Sequence, residues 1–131
     1  MTDPTTAKGT FEVQLTPSEP PEAPVARLLI AKTFQGELEA RSVGQMLSIG
    51  TEVKGSAAYV ALEVVDGTLA GRRGTFALQH RGTMDRGAPD LDLRVVPDSG
   101  TGELRGLTGS MRIIIEDGEH RYELDWALAP R

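Results

Sequence analysis

Apolar and polar residues alternate with a period of two along most of this chain. Segment 75–83 shows the alternation clearly: Phe76, Leu78 and His80 fall on one face, and Gln79 falls on the other. Such alternation is typical of a β-strand with one buried face. No segment has a convincing helical period, so the pattern predicts an all-β protein.

The same alternation predicts further strands, separated by turn residues. The predicted strands are 9–16, 25–34, 37–48, 55–65, 68–78, 91–96, 110–116 and 119–128, with a shorter run at 103–107. Asp66-Gly67 and Asp117-Gly118 are strong signals for two-residue hairpin turns, and Gln35-Gly36 suggests another.

About eight short strands in consecutive hairpins, with no covering helix, favour a single antiparallel eight-stranded β-barrel. Closure removes exposed strand edges, and eight strands leave room inside for side chains or one small ligand. A β-sandwich is the runner-up. We expect a flexible N-terminus over residues 1–8 and one barrel domain over residues 9–131. Segment 17–24 is proline-rich and is predicted to be an extended loop within that domain.

Two-residue turns fix which side chains face each other. The turn at Gln35-Gly36 pairs Lys32 with Glu39, a cross-strand ion pair that is either an exposed surface pair or part of a cavity mouth.

The turn at Asp66-Gly67 places Tyr59 opposite Gly74 and Glu63 opposite Ala70. Tyr59 and Glu63 then share the face of His80, unless a bulge reverses the register. Pairing of Glu63 with Arg72 across this hairpin is the alternative to a functional role for the carboxylate.

The turn at Asp117-Gly118 sets Ile113 by Tyr122 and Arg112 by Glu123. One face of this hairpin is then almost wholly apolar, and the other carries an ion pair.

Composition narrows the classes of function. The 131 residues carry a formal net charge of −5 and include no cysteine, which excludes disulfides, thiolate catalysis and cysteine-ligated zinc. No basic cluster stands out, so we expect no nucleic-acid partner. No apolar run is long enough for a membrane helix, and residues 1–9 lack the features of a signal peptide. These observations predict a cytoplasmic protein of bacterial type with no membrane partner.

Four segments carry a resemblance to a known family: LLIAKTFQGELEARSVGQMLS, GSAAYVALEVVDGTLAGRRGTFALQHRGTMDRG, VVPDSGTGELRGLTGSM and DGEHRYELDWAL. They resemble the bacterial family catalogued as domain of unknown function 3224, over nearly everything from Gly9 to Leu128. The resemblance implies an allene oxide cyclase-like barrel, a fold whose other members bind their ligand in the barrel cavity. It implies no activity, because fold alone does not transfer chemistry.

The predicted strand faces indicate which residues are candidates for function. Acid–base candidates are Glu63, His80 and Glu39, because a buried carboxylate or a histidine can move a proton near neutral pH. The structural alternatives are a satisfied core or rim histidine and a paired carboxylate. We expect no metal site, since two distant histidines do not supply three or four ligands, and no cofactor. The predicted ligand-binding residues are Tyr59, Glu63, Phe76, Leu78, Gln79, His80, Tyr122 and Trp126.

Three classes of function remain open. The favoured one is a barrel that binds a small hydrophobic molecule in an interior pocket. The alternative is a cofactor-independent cyclase or isomerase acting on a hydrophobic substrate in the barrel cavity. The third is a structural or assembly role. Apolar residues on both faces of several strands are compatible with a homo-oligomer.

Overall fold

The computed structural model describes residues 5–18 and 24–129, and these form a closed β-barrel. Eight antiparallel strands pair in sequence order, and the last pairs with the first. The predicted eight-stranded barrel is confirmed, and the sandwich is wrong because the sheet closes on itself. The strands are β1 (Thr5–Pro17), β2 (Ala26–Gly36), β3 (Leu38–Gly50), β4 (Ala57–Leu69), β5 (Arg72–Asp85), β6 (Ala88–Val95), β7 (Leu107–Glu116) and β8 (Glu119–Leu128).

The alternation of the sequence becomes an alternation between the barrel interior and its outer surface. In β5, Phe76, Leu78 and His80 are buried, whereas Gln79 and Arg81 are exposed. Every strand contributes at least one buried apolar side chain to the interior. The interior is therefore the core of the protein, as expected for a barrel of eight strands.

One end of the barrel, which we call the closed end, is covered by the connection between β6 and β7. A short 3₁₀ helix at Gly102–Leu104 inserts Leu104 into the core. Thr101 and Ser99 accept hydrogen bonds from backbone N–H groups of β5, and Gly74 has no side chain that would collide with the connection. The strand run predicted at 103–107 is wrong, because residues 102–104 are helical and Leu107 begins β7.

The turn between β2 and β3 differs from the predicted two-residue turn. Lys32 lies opposite Ser42, not Glu39, and Glu39 is exposed on the outer surface. The Tyr122 hydroxyl group accepts a hydrogen bond from the N–H of Leu38 at 2.9 Å and lies 2.9 Å from the carbonyl oxygen of Gln35. This contact from β8 ties the two sides of a wider turn together. The predicted Lys32–Glu39 ion pair is therefore wrong.

The turn predicted at Asp66-Gly67 lies inside β4, and the chain reverses instead at Ala70-Gly71. Both residues of the actual turn have positive φ, 50° and 82°, as a tight hairpin turn requires. Gly67 pairs with Ala40 of β3 and Gly74 of β5, and a side chain at position 67 would collide with Ala40.

The register of the β4–β5 hairpin moves with its turn. Tyr59 lies opposite Gly82 instead of Gly74, a shift of eight residues. Because eight is even, the predicted faces are kept: Tyr59, Glu63 and His80 all point inward. The alternative pairing of Glu63 with Arg72 does not form, because Arg72 lies opposite Leu69 and is exposed.

The C-terminal hairpin has the predicted turn and register. Ile113 lies opposite Tyr122 and Arg112 opposite Glu123. The Arg112 guanidinium group on the outer surface lies 2.9 Å from Glu123 and 2.7 Å from Asp125.

The structure describes only parts of the N-terminal segment and of the proline-rich segment. β1 begins at Thr5, so residues 5–8 pair with β8 and belong to the barrel wall rather than to a flexible terminus. The loop predicted at 17–24 falls largely on residues 19–23, which lie outside the described residues. Within 5–18 and 24–129, no helix is long and apolar enough to cross a membrane.

Candidate functional site

The end of the barrel opposite the closed end, which we call the open end, contains a cavity of about 280 Å³. Its walls are apolar side chains from five strands. Its deeper part ends on three polar groups, those of Lys32, Tyr59 and His80. The lining residues are Phe11, Val13, Leu15, Ile30, Lys32, Met46, Tyr59, His80, Leu91, Ile113, Ile115 and His120.

Five hydrogen-bonded side chains, which we call the polar floor, lie at and below the inner end of this cavity: Lys32, Ser42, Tyr59, Glu63 and His80. The Glu63 carboxylate is at their centre. Its Oε1 accepts hydrogen bonds from Lys32 Nζ at 3.0 Å and His80 Nε2 at 2.9 Å. Its Oε2 accepts one from the Ser42 hydroxyl group at 2.7 Å.

Four neighbouring strands bring these residues together, one each from β2, β3 and β5 and two from β4. Glu63 lies opposite Gly44 of β3 and Leu78 of β5. A side chain at position 44 would collide with Glu63, so glycine there leaves room for the carboxylate. Gly82 does the same for Tyr59, whose ring lies over its Cα. Small residues on the flanking strands thus make space for the large polar ones.

Four of the five polar-floor residues are buried, and Tyr59 is partly exposed. The side chains of Lys32 and Glu63 are 5% and 0% exposed, and that of His80 is 3% exposed. Burial alone would raise the pKa of Glu63. The hydrogen bond from His80, the charge of Lys32 and the hydrogen bond from Ser42 outweigh it and lower the pKa to about 2. Glu63 is therefore an anion at neutral pH, and it cannot itself donate a proton there.

The ionised carboxylate determines which nitrogen of His80 carries hydrogen. A carboxylate only accepts hydrogen bonds, so the Nε2 that faces Glu63 must be the donor. In a neutral imidazole, Nδ1 is then the acceptor. Nδ1 lies 3.4 Å from the Tyr59 hydroxyl oxygen, which makes this hydroxyl group its donor.

Tyr59 connects the polar floor to the cavity. Burial, and next the charge of Glu63, raise the pKa of its hydroxyl group. The group therefore stays protonated and available as a hydrogen-bond donor. Together the residues form a chain in which Glu63 orients His80 and His80 faces Tyr59, an arrangement suited to moving a proton at the cavity floor.

The structure separates the predicted site residues into three groups. Tyr59 and His80 line the cavity, and Glu63 lies directly beneath it. Gln79 and Glu39 lie on the outer surface, away from the cavity. The other four are packed in the core and do not line the cavity: Phe76, Leu78, Tyr122 and Trp126.

Hairpin reasoning did not place Lys32 and Ser42 in the polar floor. It assigned Lys32 to Glu39, its supposed neighbour across one turn, whereas the real partner lies two strands away on β4. The alternation of residues in β2 could have indicated the burial of Lys32, because it places Lys32 between Ile30 and Phe34 on the apolar face of the strand. A lysine on an apolar face needs a buried counter-charge.

Among residues 5–18 and 24–129, no group of three histidine or acidic side chains is arranged to hold a metal ion. Larger depressions, of about 740 and 600 Å³, occur on the outer wall beside β2 and β3. Every polar side chain along them is exposed, so neither depression has a buried polar group comparable to the polar floor.

Fold and site together define a class of protein: a closed eight-stranded antiparallel barrel with an apolar cavity at one end and a buried acid–base cluster beneath it. A family model described as "Protein of unknown function (DUF3224)" matches residues 7–126, and the chain belongs to that family.

A crystal structure of a DUF3224 protein of unknown function from Shewanella oneidensis is similar to this chain, with a TM-score of 0.94 and 51% sequence identity. The match covers 98% of this chain and 100% of that one. No curated protein matches. The likeness to allene oxide cyclase stays a prediction.

Proposed function

We propose that this protein binds a small, largely apolar molecule in the cavity at the open end of the barrel. The supporting observation is that apolar walls converge on a few polar groups at a buried floor, which is the usual composition of a small-molecule site. The volume of about 280 Å³ is near the lower limit for such sites, which favours a compact ligand.

A matched pair of variants tests this proposal. Val13 lines the cavity, whereas Val43 is 68% exposed on the outer surface. The same change, valine to phenylalanine, therefore fills the cavity at one position and adds apolar surface at the other. Tetralin, a compact bicyclic hydrocarbon, serves as the probe.

Tetralin should shift backbone amide signals of cavity residues in NMR spectra and should raise the melting temperature, because it binds the folded state alone. Val13→Phe should abolish both effects, and Val43→Phe should preserve them. Binding that survives Val13→Phe, or signal shifts confined to the outer wall, would refute the proposed site.

An isomerase or cyclase is the second candidate function, and one observation favours it. His80 is hydrogen-bonded to Glu63 on one side and to Tyr59 on the other, so an oriented base lies at the cavity floor. A protein that only binds an apolar molecule has no need of this arrangement.

An assembly role is the third candidate. The outer face of β3 and β4 carries exposed apolar side chains, among them Val43, Leu47, Val60, Leu62 and Val64. A second copy of the chain could cover this face, because large exposed apolar patches mark interaction surfaces. Sedimentation analysis of the protein and of Leu62→Lys tests the assembly: a monomer in both samples refutes it.

A further inference from the structure

We propose that the cavity takes an uncharged carbonyl compound and that His80 Nδ1 removes a proton from the carbon next to the carbonyl group. This inference rests on the binding function proposed above and names its substrate class. The chemistry is proton transfer at carbon, which requires no metal or redox cofactor.

The charge balance of the polar floor favours an uncharged ligand. The Lys32 ammonium group lies 3.0 Å from the Glu63 carboxylate, so the two opposite charges of the floor already balance each other. His120, the remaining titratable side chain of the cavity lining, lies at the rim against Phe11. A charged ligand head would leave an uncompensated charge in a site largely removed from water, which is costly.

The hydrogen-bond donors of the floor favour a ligand that carries an acceptor. The Lys32 ammonium group has three N–H donors, and among the described residues only Glu63 accepts from it. The ammonium nitrogen otherwise lies over aromatic rings, 5.1 Å from the centroid of Phe11 and 5.8 Å from that of Phe34. Lys32 therefore has spare donors in a buried position at the cavity. The Tyr59 hydroxyl group, whose contact with His80 Nδ1 is long at 3.4 Å, can turn from His80 and donate to a ligand, which also frees Nδ1. A carbonyl oxygen can accept from both without adding charge.

The base lies beside these donors. Glu63 holds the hydrogen of His80 on Nε2, so the lone pair of Nδ1 points toward Tyr59 and the cavity. Tyr59 Oη and His80 Nδ1 are 3.4 Å apart. A bound carbonyl compound can reach both groups at once. Its carbonyl oxygen accepts a hydrogen bond from the Tyr59 hydroxyl group, while the carbon next to the carbonyl group lies against His80 Nδ1.

The proton transfer from carbon to His80 needs no second reactant. The C–H bond breaks, its proton forms an N–H bond on Nδ1, and its electron pair becomes a carbon–carbon double bond. The carbonyl π pair moves to oxygen, where Tyr59 and Lys32 stabilise the charge. The imidazolium that forms is stabilised by the Glu63 carboxylate. If the proton on Nδ1 is first replaced from solvent, delivery of the new proton to the same carbon gives exchange with solvent. Delivery of the proton to the far end of a conjugated double bond gives isomerisation of that double bond.

A pair of probes tests the inference on the full chain. β-Tetralone has an acidic C–H next to its carbonyl group, and tetralin has the same skeleton without the carbonyl. We expect β-tetralone to bind more tightly than tetralin. In D₂O the protein should accelerate loss of the NMR signal from the C–H group between the aromatic ring and the carbonyl.

His80→Gln should lower the protein-catalysed exchange rate about 10²–10⁴-fold, the usual contribution of a positioned base. Tyr59→Phe should lower it roughly 10²-fold by removing one donor to the enolate oxygen. Arg81→Gln changes the neighbouring, outward-facing residue of β5 and should leave the rate unchanged.

A spectroscopic measurement on the unmodified protein keeps the inference testable if a variant does not fold. ¹⁵N NMR should show His80 protonated on Nε2 and unprotonated on Nδ1. The opposite tautomer would overturn the assignment of Nδ1 as the base.

The outcomes separate this inference from the binding function. Equal binding of both probes without exchange leaves the binding function standing and overturns the carbonyl inference. Binding of neither probe overturns both. Exchange that His80→Gln does not reduce shows that another group is the base and refutes the role of His80.

Discussion

The closed half and the open half of the barrel interior are filled in different ways. Near the closed end, Phe34, Phe76, Leu104, Leu107 and Tyr122 are almost fully buried, and the Phe34 and Tyr122 rings meet edge to face with centroids 5.6 Å apart. The one polar group among them, the Tyr122 hydroxyl, bonds to the backbone of the β2–β3 turn. Apart from the indole N–H of Trp126, which has no hydrogen-bond partner among the described residues, the closed half is an ordinary packed core.

The open half holds an ion pair and a cavity in place of packed apolar side chains. A buried ion pair is often no more stable than apolar residues of the same volume, and unfilled space also costs stability. The open half is therefore not arranged for stability alone. This contrast is the physical reason to look for function around Glu63 and His80 and not around Tyr122 and Trp126.

The largest expected effect comes from breaking the ion pair on one side. Lys32→Met leaves the Glu63 carboxylate buried without its cation and should lower the free energy of unfolding by about 3–5 kcal/mol. The double variant Lys32→Met/Glu63→Leu removes both charges and should recover much of that loss. Urea unfolding followed by the fluorescence of Trp126 measures both. Lys8→Met, at an exposed pair with Glu123, is the control and should change little.

If the double variant is as unstable as the single one, the polar floor stabilises the fold, and the contrast between the two halves is lost.

The packed half should be sensitive to the loss of a single apolar side chain. Leu104→Ala opens a cavity under the 3₁₀ helix and should cost about 2–5 kcal/mol. Leu91→Ala, at the rim of the open cavity where the side chain is 38% exposed, should cost under about 1 kcal/mol. The same urea experiment compares them, and equal costs would mean that the open end is as well packed as the closed end.

Lowering the pH should weaken the interactions in the open half of the barrel in particular. The pKa of Glu63 is lowered from 4.5 to about 2 in the folded protein, so its ionisation stabilises the fold above pH 4.5, and that stability is lost as the pH falls toward 2. Glu63→Gln should cost about 3–5 kcal/mol at neutral pH, because it leaves the buried Lys32 ammonium group without its counter-charge. The gap between the two proteins should then close between pH 4.5 and 2. A gap independent of pH would contradict the ionised state assigned to Glu63.

The faces of the strands could be predicted from the sequence, and several turns could not. Alternation placed Tyr59, Glu63 and His80 inside the barrel even with the wrong turn, because the register moved by an even number of residues. The Asp117-Gly118 hairpin was predicted with its correct register, because both turn residues adopt the positive φ of a tight two-residue turn.

The errors arise where distant residues decide the local structure. The β2–β3 turn is held by Tyr122, more than 80 residues away in the sequence. Asp66-Gly67 pairs with β3 on one side and with β5 on the other, and the chain reverses only at Ala70-Gly71. The partner of Lys32 lies on β4, two strands away, and the polar floor forms only where the neighbouring strands β2 to β5 pair in register. None of these contacts leaves a local pattern.

The smallest expected effects come from the two tyrosine hydroxyl groups, one in each half. Removing the hydroxyl of Tyr122 leaves a buried backbone N–H of Leu38 without its partner, so Tyr122→Phe should cost about 1–3 kcal/mol. The Tyr59 hydroxyl has a single long contact, 3.4 Å to His80, and its side chain borders the cavity. Tyr59→Phe should therefore cost under about 1 kcal/mol in urea unfolding, while β-tetralone binding weakens. A Tyr59→Phe variant as unstable as Tyr122→Phe, with unchanged binding, would assign the hydroxyl of Tyr59 to the fold and not to the ligand.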